Sequence, residues 1–253
     1  MFSIQNKNVL ITGGTSGIGL AVARHCVQQG ARVVITGRRE SGEAIAAEIG
    51  ATFLRCDVSE EQQTKEMLAA AEQTLGKLDG LVLNAGFIGP QGSLEASDTT
   101  EARRTLDINI MGVYYGLKYG PEHLKDGGSI LITGSNAGSG ITAFGFGAYA
   151  ASKAGAAYLA RTAAIELGPR AIRVNVVAPG TIAAGMNEGV DAATEAALGR
   201  LSALGRWGTL DEVVGVFHFL LSDAATYITG QEIRVDGGAT AGISLPVLEK
   251  LMG

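Results

Sequence analysis

The sequence is short of cysteine, of charge and of long apolar runs, and each shortage closes off a class of function. Its two cysteines, Cys26 and Cys56, form no CxxC pair. They read as reduced core thiols, so neither a disulfide framework nor a metal site is expected. Charged residues make up 18% of the chain and the net charge is −5. No basic stripe is available to neutralise phosphates, which argues against nucleic acid as a partner. No apolar run approaches the roughly 18 residues that a membrane helix needs. The opening MFSIQNKNVLITGG runs into a strand pattern at once, without the basic start, apolar stretch and cleavage site of a signal peptide. Internal repeats, low-complexity tracts and Pro/Ser linkers are also missing. The expectation is a soluble, cytoplasmic protein.

What the chain has in quantity is glycine, 37 of its 253 residues, with no fixed period. That pattern suits tight turns and close backbone approaches. Apolar residues at 46% allow a sizeable core. The length suits one large α/β domain over residues 1–253. Short β-branched runs at 8–12, 32–36, 52–55, 80–83, 129–133, 172–177 and 232–235 read as buried strands. Helical periodicity fills 17–29, 40–48, 60–75, 100–119, 149–167 and 210–221. Strands this apolar belong to a parallel sheet with helices on both faces. The alternation predicts a Rossmann-type, doubly wound α/β fold with seven strands. Residues 179–209, rich in Gly and Ala, read as an irregular stretch, with a substrate loop or lid at about 180–209.

Thr12-Gly13-Gly14-Thr15-Ser16-Gly17-Ile18-Gly19 follows the first strand and opens the first helix. Gly13 permits a sharp turn, Gly17 a close approach to a pyrophosphate, and Gly19 tight helix–strand packing. The free N–H groups of the helix start then face the anion. NAD-binding folds carry an acidic residue near the end of the second strand to hold the ribose 2′-OH. Here Gly37 stands there, followed by Arg38 and Arg39. Two guanidiniums suit a 2′-phosphate, which favours NADP(H), with NAD(H) as the alternative. The same arginines are also compatible with a plain solvated helix start.

Tyr149-Ala-Ala-Ser-Lys153 opens a helical stretch, and positions i and i+4 share a face. A free tyrosine, with a pKa of about 10, is a poor base near neutrality. A neighbouring ammonium is expected to lower that value. Tyr149 then serves as a proton donor to a carbonyl or an acceptor from an alcohol. Ser135, at the end of the fifth strand, faces the carboxyl edge where open α/β sheets bind ligands.

In this combination the sequence closely resembles the short-chain dehydrogenase/reductase family. The resemblance spans nearly the whole chain. It rests on the TGGTSGIG turn, Asp57 in CDV, Asn84-Ala85-Gly86, Asn109 in DINIMG, Ser135, YAASK, Pro179-Gly180 and the ITGQEIRVDGG ending. It implies Tyr149 as general acid/base. Lys153 would lower its pKa and hold the nicotinamide ribose, Ser135 would orient the substrate oxygen, and Asn109 would hold a water of a proton relay. Asp57 and Val58 would bind adenine. Asn84, Ala85 and Gly86 would support the sheet and the adenosine ribose. Pro179, Gly180 and Ile182 would contact the nicotinamide. Two features depart from the family pattern. Ser135 and Tyr149 are fourteen residues apart, one more than usual, which leaves Asn136 as a rival for the serine's place. Ala183-Ala184 stands where a threonine is common.

The substrate pocket is expected between 136–148 and the loop after Pro179. Asn136, Phe144, Phe146 and Met186 are candidate walls beside Ser135 and Tyr149, with Phe87-Ile-Gly-Pro-Gln as a further one. Acids there are Glu188 and Asp191, and no Lys or Arg occurs before Arg200. This favours a neutral, rather apolar ketone or secondary alcohol. The family resemblance implies a homotetramer. The alternatives are a 3-oxoacyl-(acyl-carrier-protein) reductase, with Arg103, Arg104 and Lys118 as a carrier patch, and a non-enzymatic nucleotide-sensing regulator on the same fold. A methyltransferase, a third reading, would not require the Tyr–Lys pair.

Overall fold

The computed structural model describes residues 1–184, 189–245 and 247–248. Seven parallel strands form one sheet in the order β3-β2-β1-β4-β5-β6-β7. They are β1 (Asn8–Ile11), β2 (Arg32–Gly37), β3 (Thr52–Arg55), β4 (Leu78–Leu83), β5 (Leu124–Thr133), β6 (Arg173–Pro179) and β7 (Glu232–Val235). The helices are α1 (Gly17–Gln28), α2 (Gly42–Ile49), α3 (Glu61–Leu75), α4 (Thr99–Leu106), α5 (Gly112–His123), α6 (Gly147–Leu167), α7 (Ala192–Gly199) and α8 (Leu210–Leu221). The chain runs outward from β1 to β3, then returns to place β4 on the other side of β1. That reversal between β1 and β4 is the crevice where doubly wound sheets bind ligands.

The two-residue period of the strands divides the core between the faces of the sheet. Leu10, Ile130 and Ile132 join a cluster with Leu68 of α3, Val113 of α5 and Ala156 and Ala160 of α6. Val9, Ile11 and Leu131 join the opposite cluster, with Val22 of α1 and Val213 and Phe217 of α8. Each fully buried aliphatic side chain of this kind contributes about 1.5–3 kcal/mol. Helix starts follow local chemistry. Asp98 caps α4 by accepting from Glu101 N, and Thr209 and Glu212 form a reciprocal capping box on α8. Among the described residues no helix is long and apolar enough to cross a membrane.

Three expectations need correction. The helix expected at 100–119 is split into α4 and α5 by a π-helical turn, Asp107–Met111, which turns Asn109 inward to 1% exposure. Such turns are a residue wider than α-helix and recur at functional sites. Residues 179–209 are less irregular than their composition suggests. Pro179 still belongs to β6, α7 begins behind Asp191, whose carboxylate accepts from Ala193 N and Thr194 N, and Ile182 bridges to Gly208. β5 also starts earlier than expected, at Leu124, because Leu78 pairs with Leu124 before the register shifts to Gly80 with Ser129.

Candidate active site

The carboxyl ends of β1, β2, β4, β5 and β6 open into one cleft of about 560 Å³. Seventeen sequence-predicted residues line it: Gly13, Ser16, Gly17, Ile18, Arg38, Arg39, Asp57, Val58, Asn84, Ala85, Gly86, Ser135, Tyr149, Lys153, Pro179, Gly180 and Ile182.

At one end β1 turns into α1. Gly13 has φ +64°, and a side-chain carbon there would lie 2.8 Å from Ala85 Cα. At Gly19 such a carbon would lie 2.3 Å from both Asn84 Nδ2 and the Gly13 carbonyl oxygen. Gly19 therefore shapes the turn from behind rather than touching the cleft. Thr15, also expected to touch a ligand, is buried against Gly37 instead. Ser16 at the helix start makes no side-chain bond to the first turn, so the N–H groups of that turn face the cleft for an anion. Beyond Gly37, the Arg38 guanidinium lies 3.8 Å from the Asp57 carboxylate, and the half-exposed pair borders the cleft.

A hydrogen-bonded chain ties this end to the other. Thr12 Oγ1 accepts from Asn84 N (3.0 Å) and Ala85 N (3.1 Å). Asn84 Nδ2 donates to the carbonyls of Thr12 (3.1 Å) and Gly13 (3.2 Å). Thr133 Oγ1 donates to Asn84 Oδ1 at 3.0 Å, and the Thr133 carbonyl accepts from Lys153 Nζ at 2.8 Å. Three neighbouring strand ends are thereby fixed to one another and to the lysine.

At the far end Ser135 and Tyr149 line the cleft together, and the serine hydroxyl acts to lower the phenol's pKa. This places Ser135, not Asn136, beside the tyrosine. The 3₁₀ turn Asn136–Gly138 follows directly, where Ser135 Oγ accepts from Ala137 N at 3.2 Å. Asn136 lines a second cavity on the other side of Gly180. Asn109 is fixed on three sides. Its Oδ1 accepts from Phe87 N (2.8 Å), and its Nδ2 donates to Phe87 O (2.8 Å) and to Ser152 Oγ (2.9 Å). A carbon placed on Gly86 would be 3.3 Å from Lys153 Nζ and 3.5 Å from Asn109 Oδ1, so the two groups border one small space.

The electrostatics differ from the sequence expectation. Burial pushes the Tyr149 phenol above its usual range, and the hydrogen bond from Ser135 offsets this only in part. Burial also lowers the Lys153 ammonium to about 8. The Lys153 Nζ is turned to the Thr133 carbonyl and lies 5.7 Å from the centre of the Tyr149 ring, over its face.

The substrate candidates scatter. The Phe146 ring packs edge-on 6.2 Å from that of Tyr149. Phe144 is 85% exposed and outside the cleft. Met186 and Glu188 lie outside the described residues. Sequence reasoning missed Thr133, whose two roles depend on strand pairing, and Ser152, which links Asn109 to the Tyr149 carbonyl. Ala184, which stands where the family commonly has a threonine, lines the cleft.

Known proteins are similar to this chain along nearly its whole length. A family model described as enoyl-(acyl carrier protein) reductase matches residues 13–240. The chain belongs to the short-chain dehydrogenase/reductase family. Cis-4-hydroxycyclohexanecarboxylate dehydrogenase of Sinomonas cyclohexanicum is 35% identical over 94% of this chain and 98% of that protein. The NADP-dependent (R)-specific alcohol dehydrogenase of Lentilactobacillus kefiri is 34% identical with the same coverage. Among solved structures, a Serratia marcescens short-chain dehydrogenase/reductase superposes with a TM-score of 0.89 at 30% identity, over 94% of this chain and 99% of that one. A blue fluorescent protein from a metagenomic library, in complex with NADPH, superposes with a TM-score of 0.88 at 29% identity, over 95% and 100%. As a member of the family, this short-chain dehydrogenase/reductase is an oxidoreductase acting between CH–OH and C=O groups with a nicotinamide dinucleotide.

Proposed function

We propose that the protein is an NADP(H)-dependent reductase/dehydrogenase of small, neutral ketones and secondary alcohols, with Tyr149 as its general acid/base. The observation that carries this reading is the meeting of Ser135, Tyr149 and a buried Lys153 in the same cleft as the glycine turn. The cleft fits a dinucleotide: uncapped helix N–H groups at a turn that a Cβ would fill, guanidiniums past β2, and apolar walls from Val58 and Ile182. Gly13, Ser16, Gly17 and Ile18 would hold its pyrophosphate, with Asn84, Ala85 and Gly86 beside them. Arg38 and Arg39 would hold the 2′-phosphate, and Asp57 and Val58 the adenine. Lys153, Pro179, Gly180 and Ile182 would hold the nicotinamide end. When bound, the nicotinamide supplies or takes up the hydride.

In reduction, the Tyr149 hydroxyl gives its proton to the carbonyl oxygen as the carbon becomes CH–OH. Ser135 Oγ donates to the same oxygen and stabilises its developing charge. In oxidation Tyr149 takes the proton back. Lys153 and Asn109, which share the space before Gly86, carry the proton between Tyr149 and solvent through a water. The NADP-dependent relative and the NADPH-bound neighbour support the cofactor choice. An acyl-carrier reductase is the weaker reading. Of its three candidate basic residues, Lys118 is paired with Glu61 and Arg104 with Glu101, which leaves the exposed Arg103 for an acidic carrier.

The reading extends to one domain, with a lid from about residue 180 to 209, in a cytoplasmic homotetramer. The exposed Tyr158 and Ile165 of α6 supply apolar surface for partner subunits. Light scattering that finds a monomer at micromolar concentration removes the tetramer. The decisive assay follows nicotinamide absorbance over a panel of ketones and secondary alcohols, with NADPH/NADP⁺ and NADH/NAD⁺. Turnover of a neutral ketone with a preference for NADPH is expected. Turnover of none of the panel with either cofactor would remove the proposal.

A further inference from the structure

β7 is an edge strand of the sheet, and its alternation packs Ile233 and Val235 against the core cluster of α1 and α8. Glu232 and Arg234 therefore stand on the opposite face, where the neighbouring β6 carries the aliphatic Val174 and Val176. Neither charged residue has a part in the acid/base chemistry described above. Both reach the turn that follows Ser135. The Glu232 carboxyl is hydrogen-bonded to the Ser139 hydroxyl. A side-chain carbon on Gly140 would lie 3.3 Å from Arg234 Nη2.

Ser139 is 4% exposed and turns back to Ser135, with its Oγ 2.7 Å from the Ser135 carbonyl oxygen. Gly138 N donates to that same carbonyl at 3.0 Å, and Ala137 N donates to Ser135 Oγ at 3.2 Å. The turn has no room to slide. A side-chain carbon on Gly138 would lie 2.6 Å from Ala154 N and 2.8 Å from the Lys153 carbonyl carbon. The helix that carries Tyr149 and Lys153 closes it on one side, and β7 closes it on the other. The Ser139 hydroxyl has one hydrogen for two acceptors, the Ser135 carbonyl and the Glu232 carboxyl. It ties them along a buried path, where such bonds are strong.

We propose that Glu232, acting through Ser139, is a positioning residue for Ser135: it holds the turn so that the serine hydroxyl stays beside Tyr149 and aimed at the reacting oxygen. The inference rests on the part given to Ser135 under the proposed function. Neither Ser139 nor Glu232 lines the cofactor cleft, so both act at one remove from substrate and cofactor.

The test is NADPH-dependent reduction of the neutral ketones of the activity panel, followed across pH in the full-length protein and its variants. Ser139→Ala and Glu232→Leu should each lower kcat about three- to tenfold, the worth of one net hydrogen bond, and leave KM for NADPH within about twofold. Ser135 draws the Tyr149 phenol down, so both variants should also carry the alkaline limit of reduction to higher pH, as Ser135→Ala does. In Glu232→Gln the amide N–H donates to Ser139 Oγ and frees the serine hydrogen for the Ser135 carbonyl. That variant should recover most of the rate lost in Glu232→Leu, and the comparison stands alone if Ser139→Ala fails to fold. In the Ser135→Ala background Ser139→Ala should add no further loss, because its effect runs through a hydroxyl already gone. A fall in kcat with an unmoved alkaline limit, or a full additional loss in the Ser135→Ala background, reduces Ser139 and Glu232 to structural parts and overturns the proposal. Unchanged kcat in both single variants, with Ser135→Ala impaired, overturns it too and leaves the proposed function standing. Full activity of Ser135→Ala itself would remove the part given to that serine, and this inference with it.

Discussion

Lys153 Nζ lies 2.8 Å from the carbonyl oxygen of Thr133 and 5.7 Å from the centre of the Tyr149 ring. The lysine is therefore held by the backbone of β5 while its ammonium lies over the face of the Tyr149 ring. The strand thus fixes the distance between the charge and the phenol.

Tyr149→Phe removes the proton donor and keeps the ring. General acid/base groups contribute about 10²–10⁴-fold, so kcat should fall by that order while the Kd for NADP⁺ stays within a few-fold. Stopped-flow turnover and cofactor titration measure the two separately. Retention of most of kcat would remove Tyr149 from the chemistry.

Lys153 should also leave a mark on stability. Its pKa is lowered from 10.5 to about 8 by burial. Below about pH 8 both folded and unfolded chains hold the proton, and the folded one bears the cost of a buried charge. Between 8 and 10.5 only the unfolded chain still binds it, so stability of the cofactor-free protein rises with pH. The gain is on the order of 3 kcal/mol. Urea unfolding across that range should show the rise in the unaltered protein and lose it in Lys153→Met. Parallel pH profiles for the two would contradict it.

Much of this was legible in the sequence because it rests on local pattern. The β1 turn is written in Gly13, Gly17 and Gly19, and the strand runs are written in their β-branched residues. Where tertiary contacts decide, the reading failed. Nothing local distinguishes DINIM as a π turn; it widens where Asn109 must meet Phe87 and Ser152 from other elements. Thr15, in the β1 turn, is buried against Gly37 and does not line the cleft. The Lys153–Tyr149 spacing put both on one helix face, but could not show that Thr133 takes the ammonium.

Arg38 and Arg39 stand where NAD-specific folds place an acid. The double variant Arg38→Ala with Arg39→Ala should raise KM for NADP⁺ about ten- to a hundredfold, the worth of one charge-assisted bond or slightly more. KM for NAD⁺ should move little. Initial-rate kinetics with both cofactors decide it, and an equal effect on the two means these arginines do not read the 2′-phosphate.

Thr133→Val keeps the shape of the side chain and the carbonyl that holds Lys153. It strips Asn84 Oδ1 of its donor. An unpaired buried acceptor costs about 1–3 kcal/mol, and Asn84 also holds the Gly13 carbonyl. The expected result is a lower urea midpoint and a higher KM for cofactor, with kcat at saturation largely kept. A loss confined to kcat would instead make the hydroxyl part of the chemistry.

Ser135→Ala tests the pairing at the centre of the site. The serine hydroxyl draws the Tyr149 phenol down against the larger effect of burial, which pushes it up. Without the serine, Tyr149 should ionise at still higher pH. Alcohol oxidation, which needs the ionised phenol as base, should then reach its plateau at higher pH than in the unaltered enzyme. Ketone reduction, which needs the protonated phenol, should persist further into the alkaline range. The maximal rate in both directions should drop by about 10²–10³-fold with the loss of a donor to the developing oxyanion. Ser135→Thr, which restores a hydroxyl, should recover the pH midpoint before it recovers the full rate. If kcat/KM profiles of Ser135→Ala show the original midpoint in both directions, the hydroxyl acts on the substrate alone and the tyrosine is tuned by something else.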